Sequence, residues 1–570
     1  MIRPEEWRSS EGIVLEPNAE TTVRELQGCV ALTAGPGSGK SELLAQRADF
    51  LLTTGACRYP KRILAIAFKV DASNNLRERV FRRCGADYAG RFDSYTFHAL
   101  AKRIVDRFRP VLTGEDALNV GYKLVVKGKA HPEQTEFGAL IPLAIKILDA
   151  YPLAVTAIRQ TYSDVFLDEF QDCTDEQYGL LYRLFAGSGR RLTAVGDEKQ
   201  KIMGWAGALD GVFGRFEHDF SALHLNIYRN FRSQPQLLRL QSEIIKVLDP
   251  GSEMPPDLLT GDGGEVHVQA YLSCEDEALS LAGQIASWIN GEGIAPARIA
   301  ILVRNQPEAY TVRLTTALDS WGIGYRNESQ FQDIATEPMA LVVVDYLLCV
   351  YGVREPRAWT RLMHRLIPSE DDTDGALRTN WGRFIKEARK SAALDLASKC
   401  YDQRWVLLKE FLSMVGVSLL TGLSHDYESR ERLKEVIRDV KKYIDEALAK
   451  EPDLLKALAQ LSDDQSIRIL TVHKSKGLEF DTVVLLGVED QAYWGRDQHE
   501  VRCAFFVGVS RAERRLVVTT AQHRANLLNL SSWRLQRTAH REFLDYVYRW
   551  KNCPKAAGVE AADTLQASGK

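Results

Sequence analysis

The stretch "ALTAGPGSGKSELL" (residues 31–44) decides the fold. An apolar run suited to a strand passes into a loop of small residues, and Lys40-Ser41 then open a helical pattern. That order lets backbone N–H groups surround a phosphate at the positive end of a helix. In this reading Ala34, Gly35, Pro36, Gly37, Ser38 and Gly39 form the cradle, Lys40 reaches the β- and γ-oxygens, and Ser41 holds magnesium. The strict pattern begins with Gly, where this chain has Ala34.

Outward from the loop, "CVALTA" (29–34), "ILAIAF" (63–68), "DVFLDE" (164–169) and "LTAVGD" (192–197) are short runs that each lead into a helical pattern. The alternation is the signature of a parallel sheet with helices on both faces. A second series, "EVHVQAY" (265–271), "RIAILVR" (298–304), "SIRILTV" (466–472), "TVVLLG" (482–487) and "RLVVTT" (515–520), implies a second α/β unit. Residues 341–461 have helical periodicity instead, clearest where Leu433, Val436, Ile437, Val440, Ile444, Ala447 and Leu448 share one face. This segment reads as a helical insertion in the second unit, and 108–160 as a shorter one in the first. Residues 551–570 are low in apolar content and are expected to form a loose tail.

A nucleotide site needs acidic residues at the end of another buried strand, and "VFLDEFQD" (165–172) supplies them. Asp168 is placed to hold magnesium and Glu169 to act as the base that activates water.

Composition narrows the class. The chain has 570 residues and a formal net charge of -3, which excludes a uniformly basic protein but not a local positive surface. Residues 61–110 carry twelve Lys/Arg against five Asp/Glu. Nine cysteines without a C-x-x-C pair argue against a zinc site, an iron–sulfur cluster or a disulfide framework. The opening "MIRPEEWRSS" lacks the order of a signal peptide and no uncharged apolar run approaches bilayer length, so a cytoplasmic protein with no membrane partner is expected.

With "DEFQD" (168–172) and "VGDEKQKIMGWAGA" (195–208), the chain resembles the UvrD/Rep/PcrA group of superfamily 1 helicases. "AFKVDASNNLRERV" (67–80), "SYTFHALAKRIV" (94–105), "NFRSQPQLL" (230–238), "TVHKSKGLEF" (471–480) and "FFVGVSRAERRLVVTTA" (505–521) resemble further blocks of that family, in its order. The resemblance implies two RecA-like P-loop domains with parallel sheets, each carrying a mostly helical insertion, and ATP with Mg2+ between them. The first domain would be 1–107 and 161–222 around the insertion 108–160; the second would be 223–340 and 462–550 around the insertion 341–461.

By the same resemblance Lys40, Ser41, Asp168, Glu169 and Gln200 serve the nucleotide from the first domain, and Arg232 and Arg511 reach it from the second. Phe231 stands where the family stacks an aromatic on adenine, and Glu479 where a carboxylate bonds the ribose. Phe68, Thr96, His98 and Trp205 would line a single-strand path in the first domain, with His473 contributing from the second. Stacking on bases is sequence-tolerant and worth about 1–3 kcal/mol each.

Three positions depart from the family pattern. Ala19 stands where it has an adenine-reading Gln, with Asn18 and Glu20 as polar neighbours that could substitute; Met203 replaces a usual aromatic and Ala206 a usual Arg.

The expected function is an ATP-driven translocase on single-stranded DNA, or DNA with single-stranded ends, and a helicase, with the 3′-to-5′ polarity that the resemblance implies. A second reading is the ATPase subunit of a partnered nuclease system of the Gabija phage-defence type, acting as DNA-end sensor or activator. A third is an ATP-switched DNA-binding module without sustained turnover.

Overall fold

A computed structural model describes residues 2–9, 12–68, 70–125, 131–204, 207–328, 337–352, 355–366, 372–398, 401–423, 430–450, 453–459 and 466–552. The chain forms two compact units: residues 1–268, 488–516 and 539–570, and residues 269–487 and 517–538. This division by contact does not fall at the 222/223 boundary read from the sequence. Trp205 and most of the expected tail (553–570) lie outside the described residues.

Unit 1 is built on strands β1 (Val30–Ala34), β2 (Arg62–Ala67) and β3 (Phe92–Thr96), a small pair β4 (Lys123–Val125) and β5 (Gln134–Glu136), then β6 (Tyr162–Leu167), β7 (Arg191–Gly196) and β8 (Leu223–Ile227). β4 and β5 pair with each other, within the segment read as an insertion. The other six form a sheet in the order β3-β2-β6-β7-β1-β8, every pairing parallel.

Successive strand residues point to opposite faces, and unit 1 accordingly has two cores. Val30, Leu32, Ala34, Ile63, Ala65 and Phe166 join one; Ala31, Leu64, Ile66, Val165, Leu167 and Ala194 join the other. A sheet apolar on both faces must be covered on both, which is why the intervening segments are helices. Helix Lys40–Thr53 lies on the first face. Helix Phe97–Phe108 covers the second with Leu100, Ala101, Ile104 and Val105. The apolar segments Phe137–Ala150 and Pro152–Thr161 meet at a 103° bend, and their apolar faces belong to this second core. No single described helix is long and apolar enough to cross a membrane.

The second sheet has the order β11-β12-β10-β13-β14-β9, from β9 (Glu265–Ser273), β10 (Ile299–Val303), β11 (Tyr325–Asn327), β12 (Ile467–Thr471), β13 (Phe480–Leu485) and β14 (Ala512–His523). Pairings β11–β12, β12–β10 and β10–β13 are parallel. Between β11 and β12 unit 2 carries a helical cluster centred on helix Pro338–Tyr351, which is buried almost all round. Its one carboxylate, Asp345, is paired with Arg361 at 2.6 Å and with Arg365. Helix Arg430–Lys450 packs into the same cluster through Leu433, Val436, Val440 and Ile444, the face read from the sequence.

Candidate functional site

The Gly loop follows β1, and two of its residues need glycine. Gly37 and Gly39 have φ of 69° and 79°, a region other residues rarely adopt. At Gly37 there is also no room, because a Cβ would lie 2.6 Å from Arg232 Cβ and collide with the Asn230 amide. The Phe231 N–H donates to the Gly37 carbonyl at 2.8 Å, and Asn230 Oδ1 accepts from the N–H groups of Arg232 and Ser233 at 2.8 and 3.1 Å. The Asn-Phe-Arg-Ser turn is thus locked by its own asparagine against the phosphate cradle.

Within the cradle Lys40 Nζ donates to the carbonyls of Ala34 and Gly35 at 3.1 and 3.2 Å. Burial lowers the Lys40 pKa, while Glu169, Asp197 and Asp168 oppose the change. Ser41 Oγ donates to Asp168 Oδ2 at 3.3 Å. Burial, and then the neighbouring Glu169 carboxylate, push Asp168 up to about 6. Glu169 sits in the left-handed region at φ 52°, a placement that non-glycine residues hold only where the surroundings enforce it.

From Glu169 a chain of hydrogen bonds crosses the C-terminal edge of the sheet. Gln171 Nε2 donates to Glu169 Oε2 at 2.6 Å, and Gln171 Oε1 accepts the Asp197 N–H at 3.0 Å. Gly196 makes room for that approach, since a Cβ there would strike the Gln171 amide. Asp197 accepts from Gln200 Nε2 at 2.8 Å, and Gln200 Oε1 accepts from Arg511 Nη2 at 2.7 Å. Arg511 also donates to Ser510 Oγ at 2.8 Å, and Arg232 Nη1 donates to the Ser510 carbonyl at 3.1 Å. Burial alone would raise Asp197, but Lys199, Lys40 and Gln200 bring it below the ordinary carboxylate range. Lys199, which sequence reasoning passed over, is buried between Asp197 at 3.1 Å and Asp249 at 3.3 Å.

The residues read as cradle, acids and arginines, Ala34 to Ser41, Asp168, Glu169, Gln200, Phe231, Arg232 and Arg511, therefore all fall in unit 1, joined by the contacts above. Their chemistry fits a magnesium-bound nucleotide. A buried carboxylate reluctant to ionise stands beside a hydroxyl and would gain from a cation, and the part-buried Lys40 ammonium donates to carbonyls of the glycine loop itself. The Phe231 ring is 61% exposed, with the Arg229 guanidinium 5.0 Å above it. Glu479, expected at the ribose, is exposed in unit 2.

Ala19 is buried. Of the polar neighbours that could replace the missing glutamine, Asn18 donates to the Asn226 carbonyl at 2.8 Å and Glu20 pairs with Arg24 at 3.0 Å.

Of the residues read as a nucleic-acid path, Phe68, Thr96 and His98 lie at the ends of the adjacent strands β2 and β3, where Ala67 pairs with Thr96. Phe68 is half-buried just after β2. Thr96 caps helix Phe97–Phe108, its hydroxyl accepting from the Ala99 N–H at 3.2 Å. The His98 ring stacks on Phe137 at 4.3 Å and 19°, with Phe137 half exposed, and burial lowers the His98 pKa. Phe137 carried no sequence signal beyond being an aromatic in the insertion. His473 lies in unit 2, with Arg304 Nη1 at 3.0 and 3.2 Å from its ring nitrogens.

Comparison with known proteins agrees with this geometry. The UvrD/REP helicase N-terminal domain matches residues 15–120 and 113–221, and the UvrD-like helicase C-terminal domain matches 377–523. The chain is 23% identical over 603 residues to DNA helicase II of Escherichia coli (strain K12), covering 86% of this chain and 82% of that protein. It is 24% identical over 622 residues to the ATP-dependent DNA helicase PcrA of Staphylococcus epidermidis, covering 90% and 84%. With PcrA of Leuconostoc citreum it shares 24% over 613 residues, covering 88% and 81%. A phosphate loop, the acids beside it and the two family domains in sequence make this chain a member of the UvrD/Rep helicase family, an ATP-hydrolysing DNA helicase.

Proposed function

We propose that the protein translocates along single-stranded DNA in the 3′-to-5′ sense, with Mg2+ and ATP at the Gly35–Ser41 loop, and unwinds duplex as it moves. The observation that carries the reading is the continuous path Glu169–Gln171–Asp197–Gln200–Arg511, joined to Arg232 through Ser510. A protein that only bound nucleotide would need the cradle but not this machinery.

In this reading the loop N–H groups and Lys40 hold the β- and γ-phosphates, and Ser41 and Asp168 hold magnesium. The ion supplies charge neutralisation at the phosphate oxygens. Glu169, oriented by Gln171, accepts the proton of the attacking water. Arg232 and Arg511 neutralise charge developing on the transferred phosphoryl group, a service worth ~10³–10⁵ in rate where it has been removed from related machinery. Phe231 offers the base its exposed face, and Glu479 is assigned to the ribose. Gln200 bonds Arg511 and lies in the same short segment as Trp205, so a change at the nucleotide is felt in the loop assigned to DNA. From unit 1, Phe68, Trp205 and the His98–Phe137 stack are assigned to bases and Thr96 to the strand, and from unit 2 His473 is assigned to bases. The polarity rests on family membership.

Steady-state ATPase with and without single-stranded DNA tests the reading. DNA is expected to stimulate the wild type strongly, with Lys40→Ala and Arg511→Ala at background. Unchanged turnover in Arg511→Ala would remove the arginine from the site. Tailed duplexes test polarity: unwinding of substrates with a 3′ tail only is expected, and unwinding from a 5′ tail would reverse the assignment.

A further inference from the structure

We propose that Glu16 selects the base of the bound nucleotide, its second carboxylate oxygen accepting the 6-amino group of adenine; this rests on the nucleotide site assigned above. Glu16 immediately precedes helix Pro17–Arg24, in extended backbone and with no capping bond of its own. The helix is fixed in place. Asn18 donates to the Asn226 carbonyl at 2.8 Å. The buried Arg47, from the helix of the phosphate loop, donates to the carbonyls of Val23 and Glu25 at 3.1 and 2.9 Å.

The Glu16 carboxyl faces the backbone N–H groups of Tyr228 and Arg229 and the Arg229 charge, which draw its pKa down against burial. Its Oε1 is nevertheless buried and has no hydrogen-bond partner. Two residues beyond Arg229 is Phe231, whose N–H is bonded to Gly37 and whose ring is exposed. An acceptor without a donor therefore stands on the loop that carries the aromatic platform, where that loop meets the phosphate cradle. Buried acceptors are costly unless paired, so such an atom calls for a donor from outside the chain.

Chemistry names the donor. Adenine presents a 6-amino group; guanine presents a 6-oxo group, which a carboxylate repels; purine riboside has neither. The other polar side chains of the segment are engaged, Asn18 as above and Glu20 with Arg24 at 3.0 Å, and Ala19 has no polar side-chain atom. Burial also holds the Glu16 carboxyl above its usual range in spite of its backbone bonds, as expected of an acceptor short of donors.

The test is equilibrium binding to the full chain, with magnesium withheld to prevent turnover, of ATP, GTP and purine riboside triphosphate in competition. The wild type is expected to bind ATP about tenfold or more tightly than either competitor, the scale of a hydrogen bond to a charged acceptor. In Glu16→Gln the amide oxygen can keep the backbone bonds while the amide N–H₂ puts a donor where the acceptor was. The preference for ATP over purine riboside triphosphate is then expected to vanish and GTP to gain. Equal wild-type binding of ATP and purine riboside triphosphate, tighter wild-type binding of GTP, or an undiminished ATP preference in Glu16→Gln would each overturn the proposal. The wild-type ratios decide alone if the variant fails to fold. Failure of DNA-stimulated hydrolysis would instead undo the motor reading and leave these ratios intact.

Discussion

At Asp168 burial beside the glycine loop opposes ionisation, while the magnesium role proposed for it needs the ionised form. Its folded pKa of about 6 lies above the ordinary 3.8. The folded chain therefore holds this proton more tightly than the unfolded chain. The penalty is absent below about pH 4, grows as pH rises toward 6, and stays constant above. Without nucleotide or magnesium, Asp168→Asn is expected to be more stable than wild type at pH 7.5, by roughly 1–3 kcal/mol. That advantage should disappear near pH 4, and urea melts at the two pH values check it. Gly37→Ala tests the cradle. The left-handed backbone and the crowding by Asn230 and Arg232 leave a methyl no place, so nucleotide affinity should collapse and stability fall by about 1–3 kcal/mol, read by titration calorimetry and melting. Gly37, Lys40 and Asp168 were legible because their spacing is local. Lys199 was not, because what gives it meaning is Asp249, fifty residues away.

Among the elements, strands with apolar residues on both faces could be read, while of the four edges of the two six-stranded sheets only β9, read as "EVHVQAY", could. β1, β2, β6 and β7 appear in the sequence as near-continuous apolar runs because both of their faces are covered. β3 and β8 are the two edges of the first sheet and β11 is an edge of the second. Their sequences, "FDSYT", "LHLNI" and "YRN", are broken by polar residues, since an edge strand is only partly covered. Helix ends can be tested singly. Thr174 and Gln177 form a reciprocal capping box at the start of helix Asp175–Phe185, which follows the acidic strand end. Thr174→Ala should cost about 1 kcal/mol, seen as a lower urea midpoint with an unchanged slope. In the middle of the first sheet Phe166 is fully buried, and Phe166→Ala should cost about 3–5 kcal/mol.

On the scale of the whole molecule, long-range polar pairs hold segments that the sequence keeps far apart. In unit 2 the Arg524 guanidinium clamps Glu277 with two bonds, at 2.7 and 3.0 Å, and both side chains are fully buried. Removing one partner strands a buried charge, so Glu277→Ala is expected to destabilise unit 2 by about 3–5 kcal/mol. Nucleotide binding, whose proposed contacts other than Glu479 fall in unit 1, should change little at temperatures where the variant is folded. Melting followed beside binding of a fluorescent nucleotide separates the two, and equal loss of both would show that the units do not act apart.

The sequence by itself determined the glycine loop after β1, the acids at the end of β6, the α/β class and the apolar face of helix Arg430–Lys450, because each is written in residue spacing over a few turns or one strand. Tertiary structure alone decided that Arg511 meets Gln200, that the Asn230 turn docks on Gly37, that His98 finds Phe137, and that one oxygen of Glu16 is left without a donor. The physical reason is strand order. The arrangement β3-β2-β6-β7-β1-β8 brings remote segments to one sheet edge, and no local period encodes which strand will lie beside which.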